Sequence, residues 1–312
     1  MSGWAPPQLP SRLAAARHGP LVGRRVELET LETLWPQVTA GRRQVVFVGG
    51  EPGAGKTRLL AEIAGALRAQ GVAVLAGSAS LDAGIPYQPF TEMLDHLFGT
   101  SPRGSLAAIV GTHGPELLRL SAQVGRQAPS VMSHAAGTGE VRRDLFDALA
   151  SVFQALAAER PEALLIDDLH WAQLPTVAML EHVVQVCSES RLLVVASFRT
   201  AAPDRSVELT ARIADLHRLE GVRRLDLTGL DTDAIAEYLS LQTGLPLSET
   251  RAPAALLRTR TGGNPFFLRE LWADLERRGG LAALRTTQPV PSSISDTLTA
   301  RLLRLSPEVQ AG

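Results

Sequence analysis

Two short stretches hold residue types whose chemistry can be named from type and spacing. Gly50, Glu51, Pro52, Gly53, Ala54, Gly55, Lys56 and Thr57 follow the pattern G-x-x-x-x-G-K-[ST], which describes a loop whose backbone N–H groups wrap around phosphate. Glycines let the backbone approach the ligand closely, and a helix starting at the loop's end adds partial positive charge. Lys56 is the only lysine in a chain of 312 residues with 31 lysines and arginines together. The compact ammonium on its flexible stem reaches β- and γ-phosphates inside a tight loop, where a rigid guanidinium fork fits poorly. Thr57 offers a hydroxyl to Mg²⁺. With Arg58 at its end, residues 50–58 form the candidate phosphate-binding set.

The second stretch is Ala163-Leu-Leu-Ile-Asp167-Asp168. Four apolar residues place a strand in a core, and ligands of open α/β sheets sit at the carboxyl ends of strands. Asp167 there is expected to hold Mg²⁺, directly or through water. Asp168 is expected to orient or deprotonate the attacking water, because phosphoryl transfer needs positioning more than covalent chemistry.

The elements that must carry these residues are legible as alternating patterns. QVVFVGG, VAVLAGS, ALLIDD, RLLVVASF and RRLDLTG read as strands, three of them nearly continuous apolar runs as in a parallel sheet covered on both faces. Amphipathic segments between them predict a three-layer α/β domain over residues 21–228. Residues 99–138 fit this poorly and read as an irregular insertion with short helices. Residues 1–20 hold four prolines and read as a flexible leader. After Gly229 only helical patterns remain, which predicts a helical domain over 229–285. VPSSISDTLTARLLRLSPEVQAG then reads as the start of a further domain, 286–312, within a longer protein.

Composition narrows the function class. Hydrophobic residues make up 45% and charged residues 20% of the chain, with a formal net charge of −1. A domain that grips nucleic acid through its own surface carries a basic excess, so DNA binding is expected elsewhere. Cys187 is the only cysteine, which forbids an internal disulfide and fits a reducing cytoplasm. No apolar run approaches the roughly 20 residues that span a bilayer.

LLIDDLHWA resembles the acidic-strand segment of signal-transduction ATPases of the STAND class within the AAA+ superfamily. Leu21-Val22-Gly23-Arg24-Arg25-Val26-Glu27 is similar to that class's leading element, with Arg25 where glutamate is usual. Leu193 to Arg199 resembles its fourth strand with a terminal sensor arginine. Gly262-Gly263-Asn264-Pro265-Phe266-Phe267-Leu268 resembles its lid motif, and residues 290–308 look like the opening of a winged-helix domain. The resemblance spans residues 21–307. It implies a P-loop nucleotide-binding domain with an all-helical lid, ATP and Mg²⁺ as ligands, Val22, Gly23 and Arg24 near the adenine, Pro265 over the base, and Arg199 toward the γ-phosphate.

Within the class, the GGNPFFLREL lid looks most like the large ATP-binding LuxR-type transcriptional regulators. That implies a slowly hydrolysing switch whose lid angle follows nucleotide state, ATP-dependent self-association, and DNA contact through a C-terminal domain outside this chain. A replication-initiator type of DNA-loading ATPase and a scaffold for defence signalling are the alternatives. Several residues have ordinary readings beside functional ones: His170 as a packed histidine, Arg199 as an ion pair, Tyr87, Phe90, Phe266 and Trp272 as core, and Cys187 as a packed thiol. His113 and His134 lack partners at metal-ligand spacing.

Overall fold

The structure is a computed structural model describing residues 8–80, 85–129, 141–200 and 207–285. The predicted segment 286–312 lies outside the described residues.

In chain order the elements are α1 (Ser11–Ala16), α2 (Arg25–Thr39), β1 (Gln44–Gly50), α3 (Lys56–Ala69), β2 (Ala73–Ser78) and α4 (Gln88–Thr100). Three short helices follow, α5 (Ala107–Val110), α6 (Gly114–Leu118) and α7 (Val124–Gln127), then α8 (Val141–Glu159), β3 (Glu162–Asp167), α9 (Leu174–Val186), β4 (Leu192–Arg199), α10 (Val207–Leu216) and β5 (Val222–Leu227). The last three helices are α11 (Thr232–Thr243), α12 (Leu247–Thr261) and α13 (Pro265–Arg277).

The strands form one five-stranded parallel sheet in the order β2-β3-β4-β1-β5. Ser78 pairs with Asp167 across β2 and β3, and Ile166 with Ala196 across β3 and β4. Every residue of β1, β2 and β3 is buried, as the continuous apolar runs require when helices cover both faces. β5 is an edge strand with Arg223 and Arg224 exposed, the kind of charged edge that discourages pairing with another chain.

The chain divides into two compact units. The first comprises residues 1–18, 26–49 and 56–226. Phe47, Phe90, Phe98, Phe153 and Phe198 are its largest fully buried side chains, and Phe47 meets Phe198 edge to face at 6.4 Å. Phe90 is fully buried, and Tyr87 packs its ring against Phe146 at 6.0 Å, so both serve as core.

Within the segment read as a leader, residues 11–16 form the helix α1. Pro10 sits at the N-cap of α1, where the missing N–H costs nothing, and Leu13 is buried to 4% exposure. A six-residue helix is too short to persist alone; here it packs on α3, and the Arg58 guanidinium donates to the carbonyls of Ala16 at 3.1 Å and His18 at 2.5 Å.

The second unit comprises residues 19–25, 50–55 and 227 onward, so it takes in the leading motif and most of the glycine-rich loop as well as α11 to α13. Its core is Val22, Ile235, Leu239, Leu257, Leu268, Trp272 and Leu275. The Asp231 carboxylate caps α11 by accepting from the Ala234 N–H at 2.8 Å. Buried Thr250 of α12 donates its hydroxyl to the Ala236 carbonyl at 2.9 Å, fastening α12 to α11. Trp272 is lid core, as its ordinary reading holds.

Candidate nucleotide site

β1 runs directly into the loop, and α3 begins at Lys56. Gly53 and Gly55 have φ of +79° and +95°, left-handed conformations that side chains resist and glycine accepts. A Cβ at Gly53 would lie 2.7 Å from both Asn264 Oδ1 and Phe266 Cβ. The space is therefore reserved for bare backbone, which is what a phosphate cradle requires.

In the second unit the loop is held from two directions. Asn264 Nδ2 donates to the Pro52 carbonyl at 2.9 Å, and the Phe266 N–H donates to the Gly53 carbonyl at 3.3 Å. Asn264 Oδ1 also accepts from the Phe266 N–H at 3.0 Å, capping α13. Arg24, buried to 6% exposure, donates through Nη2 to the carbonyls of Ala54 at 3.0 Å and Thr228 at 2.8 Å. These contacts occupy the carbonyls of Pro52, Gly53 and Ala54, and the Ala54 N–H donates within the loop to the Glu51 carbonyl at 3.2 Å.

Gly23 has φ +63°, and a Cβ there would meet Ala234 Cβ at 2.5 Å. Val22 lies in the core of the same unit. Both therefore serve packing between the leading motif and the helical unit, and Arg24 acts on the loop itself. Pro265 follows the cap as the first residue of α13, with its ring 3.9 Å from a Cβ position on Gly55.

In the first unit the acidic pair sits at the carboxyl end of β3. Asp167 is buried to 4% exposure. Its Oδ2 accepts from the Thr57 hydroxyl at 2.8 Å and its Oδ1 from the Ser197 hydroxyl at 2.5 Å. The Ser197 oxygen in turn accepts from the Asp168 N–H at 2.9 Å. Asp168 has φ +57°, a region that costs a non-glycine residue energy and recurs at functional sites. Arg12 Nη2 lies 3.2 Å from Asp167 Oδ2 and 3.2 Å from Asp168 Oδ2.

The donor set fits a magnesium ion. Thr57 and Asp167 present adjacent hard oxygens, few enough that substrate phosphates and water complete the shell, as Mg²⁺ prefers. A cationic group already rests on the same carboxylate oxygen. Lys56 is buried to 7% exposure at the first residue of α3.

Arg199 stacks over the Trp171 ring, with its guanidinium carbon 5.1 Å from the centroid. His170 is buried against Trp171 with ring centroids 4.8 Å apart, and its Nδ1 is 4.0 Å from Asp168 Oδ1. Burial pushes the Cys187 thiol up to about 12, which keeps it protonated and unreactive.

Sequence reasoning missed three residues of this arrangement. Ser197 is one polar residue in an apolar strand, a legible signal in retrospect. Asn264 precedes a proline at a helix start, the ordinary signature of a cap. Arg12 had no signal, since nothing local to it specifies the acidic pair.

An uncharacterized protein from Rhizobium meliloti (strain 1021) is 27% identical over 198 residues, which cover 58% of this chain and 19% of that protein. Among solved structures, a Signal Transduction ATPase with Numerous Domains (STAND) protein with a tetratricopeptide repeat sensor, from Pyrococcus horikoshii, aligns with a TM-score of 0.46 at 17% identity, over 94% of this chain and 34% of that one. AMPPCP-bound DnaA from Aquifex aeolicus aligns with a TM-score of 0.48 at 14% identity, over 91% and 69% respectively. This chain spans well under half the length of the first two. With a glycine loop, a helix-starting lysine and a paired threonine and aspartate in place, the match of residues 20–195 to the AAA ATPase domain family covers more than half of the sequence, and the chain belongs to that family.

Proposed function

We propose that this chain is the ATP-binding and slowly hydrolysing switch module of a larger signal-responsive protein, of the kind found in LuxR-type transcriptional regulators. The observation that carries the reading is the double bond of the lid to the loop: Asn264 and the Phe266 N–H both hold carbonyls of the phosphate-binding stretch. A helix so attached registers what the loop binds, which is the order–disorder logic of nucleotide switches. The regulator class rests on the sequence elements GRRVE, LLIDDLHWA and GGNPFFLREL. In that reading DNA contact belongs to a separate helix-turn-helix domain, and ATP promotes self-association.

Each residue then has a task. The N–H groups of residues 50–58 surround the phosphates, and Lys56 places its charge on the β- and γ-oxygens. Thr57 and Asp167 would hold Mg²⁺, which when bound neutralises charge on the transferred phosphoryl group. Ser197 fixes the Asp167 carboxylate and the Asp168 backbone at once. Asp168 orients the attacking water and accepts its proton, and Arg199 is the side chain directed to the γ-phosphate.

Ligand that binds only the folded state stabilises it; at a thousandfold excess over Kd the gain is about 4 kcal/mol. Calorimetry should therefore show a large upward shift in Tm with Mg-ATP, absent in Lys56→Ala. An equal shift in wild type and Lys56→Ala would refute the assignment.

A further inference from the structure

The acidic pair already has a cation, and the chain itself supplies it. Arg12 is half exposed, yet its Nη2 bridges Asp167 and Asp168 with both contacts at 3.2 Å. The oxygen it meets on Asp167 is the one that accepts from Thr57, the same pair of ligands read above as the magnesium position. We propose that Arg12 is a tethered competitor of the divalent metal: the leader holds the acidic pair in the nucleotide-free state, and loading of the metal with nucleotide requires Arg12 to leave. This rests on the assignment of the site to Mg-nucleotide.

Two physical facts make the occupancy exclusive. Magnesium binds carboxylate oxygen at about 2.0–2.1 Å, so an ion on Asp167 Oδ2 would stand against the Arg12 guanidinium at close range with like charge. The pair of adjacent carboxylates also needs a counter-charge when no metal is bound, because neighbouring like charges raise each other's energy. Arg12 meets that need with a single charge, so a doubly charged ion can displace it.

The attachment of the leader suits an element that releases. Among the described residues of the leader, Leu13 is the one buried apolar anchor. The leader's ties among the described residues include Arg17 to Glu62 at 3.4 Å, the Gln8 carbonyl to His96 Nε2 at 2.6 Å, and the Arg58 contacts to Ala16 and His18. The Arg17–Glu62 ion pair is exposed, and such pairs are individually weak. A small cavity lined by Arg12, Leu13, Ser78, Glu92 and Asp167 adjoins the bridge.

The test uses Mn²⁺ with ADP as probes, following free Mn²⁺ by electron paramagnetic resonance in wild type, Arg12→Ala and Arg12→Lys. Removing the competitor should lower the Mn²⁺ concentration at half-saturation by about three- to fivefold in Arg12→Ala, with Arg12→Lys between the two. An unchanged midpoint in Arg12→Ala, with fluorescent ADP binding still dependent on Lys56, would overturn the competition and leave the nucleotide assignment standing. A higher midpoint in Arg12→Ala would also overturn it, making Arg12 a ligand of the bound phosphate. Absence of ADP binding in every variant would remove both.

Discussion

Asn264 performs two separable tasks, and substitutions can divide them. Its Oδ1 caps α13 by accepting from the Phe266 N–H at 3.0 Å, and its Nδ2 holds the Pro52 carbonyl at 2.9 Å. Loss of an asparagine cap costs about 1 kcal/mol, and loss of a neutral hydrogen bond about the same. Asn264→Ala should therefore lose about 2 kcal/mol of unfolding free energy. Asn264→Asp keeps the cap acceptor and gains a few tenths from the helix N-terminus, but it turns a donor into a negative oxygen facing Pro52. Its stability loss should be nearer 1 kcal/mol. Nucleotide affinity follows a different order. Freeing one loop residue restores about 1–2 kcal/mol of backbone entropy that the ligand must then remove, so both variants should bind Mg-ADP roughly tenfold more weakly. Urea denaturation measures the first quantity and titration calorimetry the second. Were both variants to lose stability yet bind Mg-ADP like wild type, the grip on Pro52 would be only structural, and the coupling of lid to loop would be refuted.

Other expectations follow from single groups. Asp168→Asn should retain Mg-ATP binding within a few-fold and reduce phosphate release by at least about a hundredfold, the usual worth of a positioned general base; radiolabelled ATP turnover at the wild-type rate would dismiss its role. Glu162 is fully buried, its carboxylate oxygens have no hydrogen-bond partner among the described residues, and burial pushes its carboxyl well above the ordinary 4.5. The unfolded chain then releases this proton at lower pH than the folded protein does, so stability is full below the ordinary value and falls as pH rises toward the folded one. Glu162→Gln should flatten the decline of unfolding free energy as pH rises above the ordinary 4.5, and an unaltered slope in that variant would show that Glu162 is ionised in the fold.

Much of the site was legible because the residues concerned are consecutive in the chain. The loop from Gly50 to Thr57 needs only its own glycines and the helix that follows, and Asp167 needs only the four apolar residues before it. Strand and helix types followed from periodicity for the same reason, as the match of QVVFVGG and RLLVVASF to β1 and β4 illustrates. The bond from Thr57 to Asp167 was expected through a shared metal; the direct hydrogen bond follows from the packing of α3 against β3 in the first unit.

What the sequence alone determined were the residues proposed to hold phosphate and magnesium, since short-range pattern encodes residue type and backbone conformation. Tertiary structure alone decided that a proline-flanked leader becomes a helix whose Arg12 rests on Asp167 and Asp168, that Arg24 braces Ala54, and that Ser197 joins the acidic pair. These depend on burial and charge pairing between segments far apart in the chain, and such energies have no value until the fold brings the partners within hydrogen-bond distance.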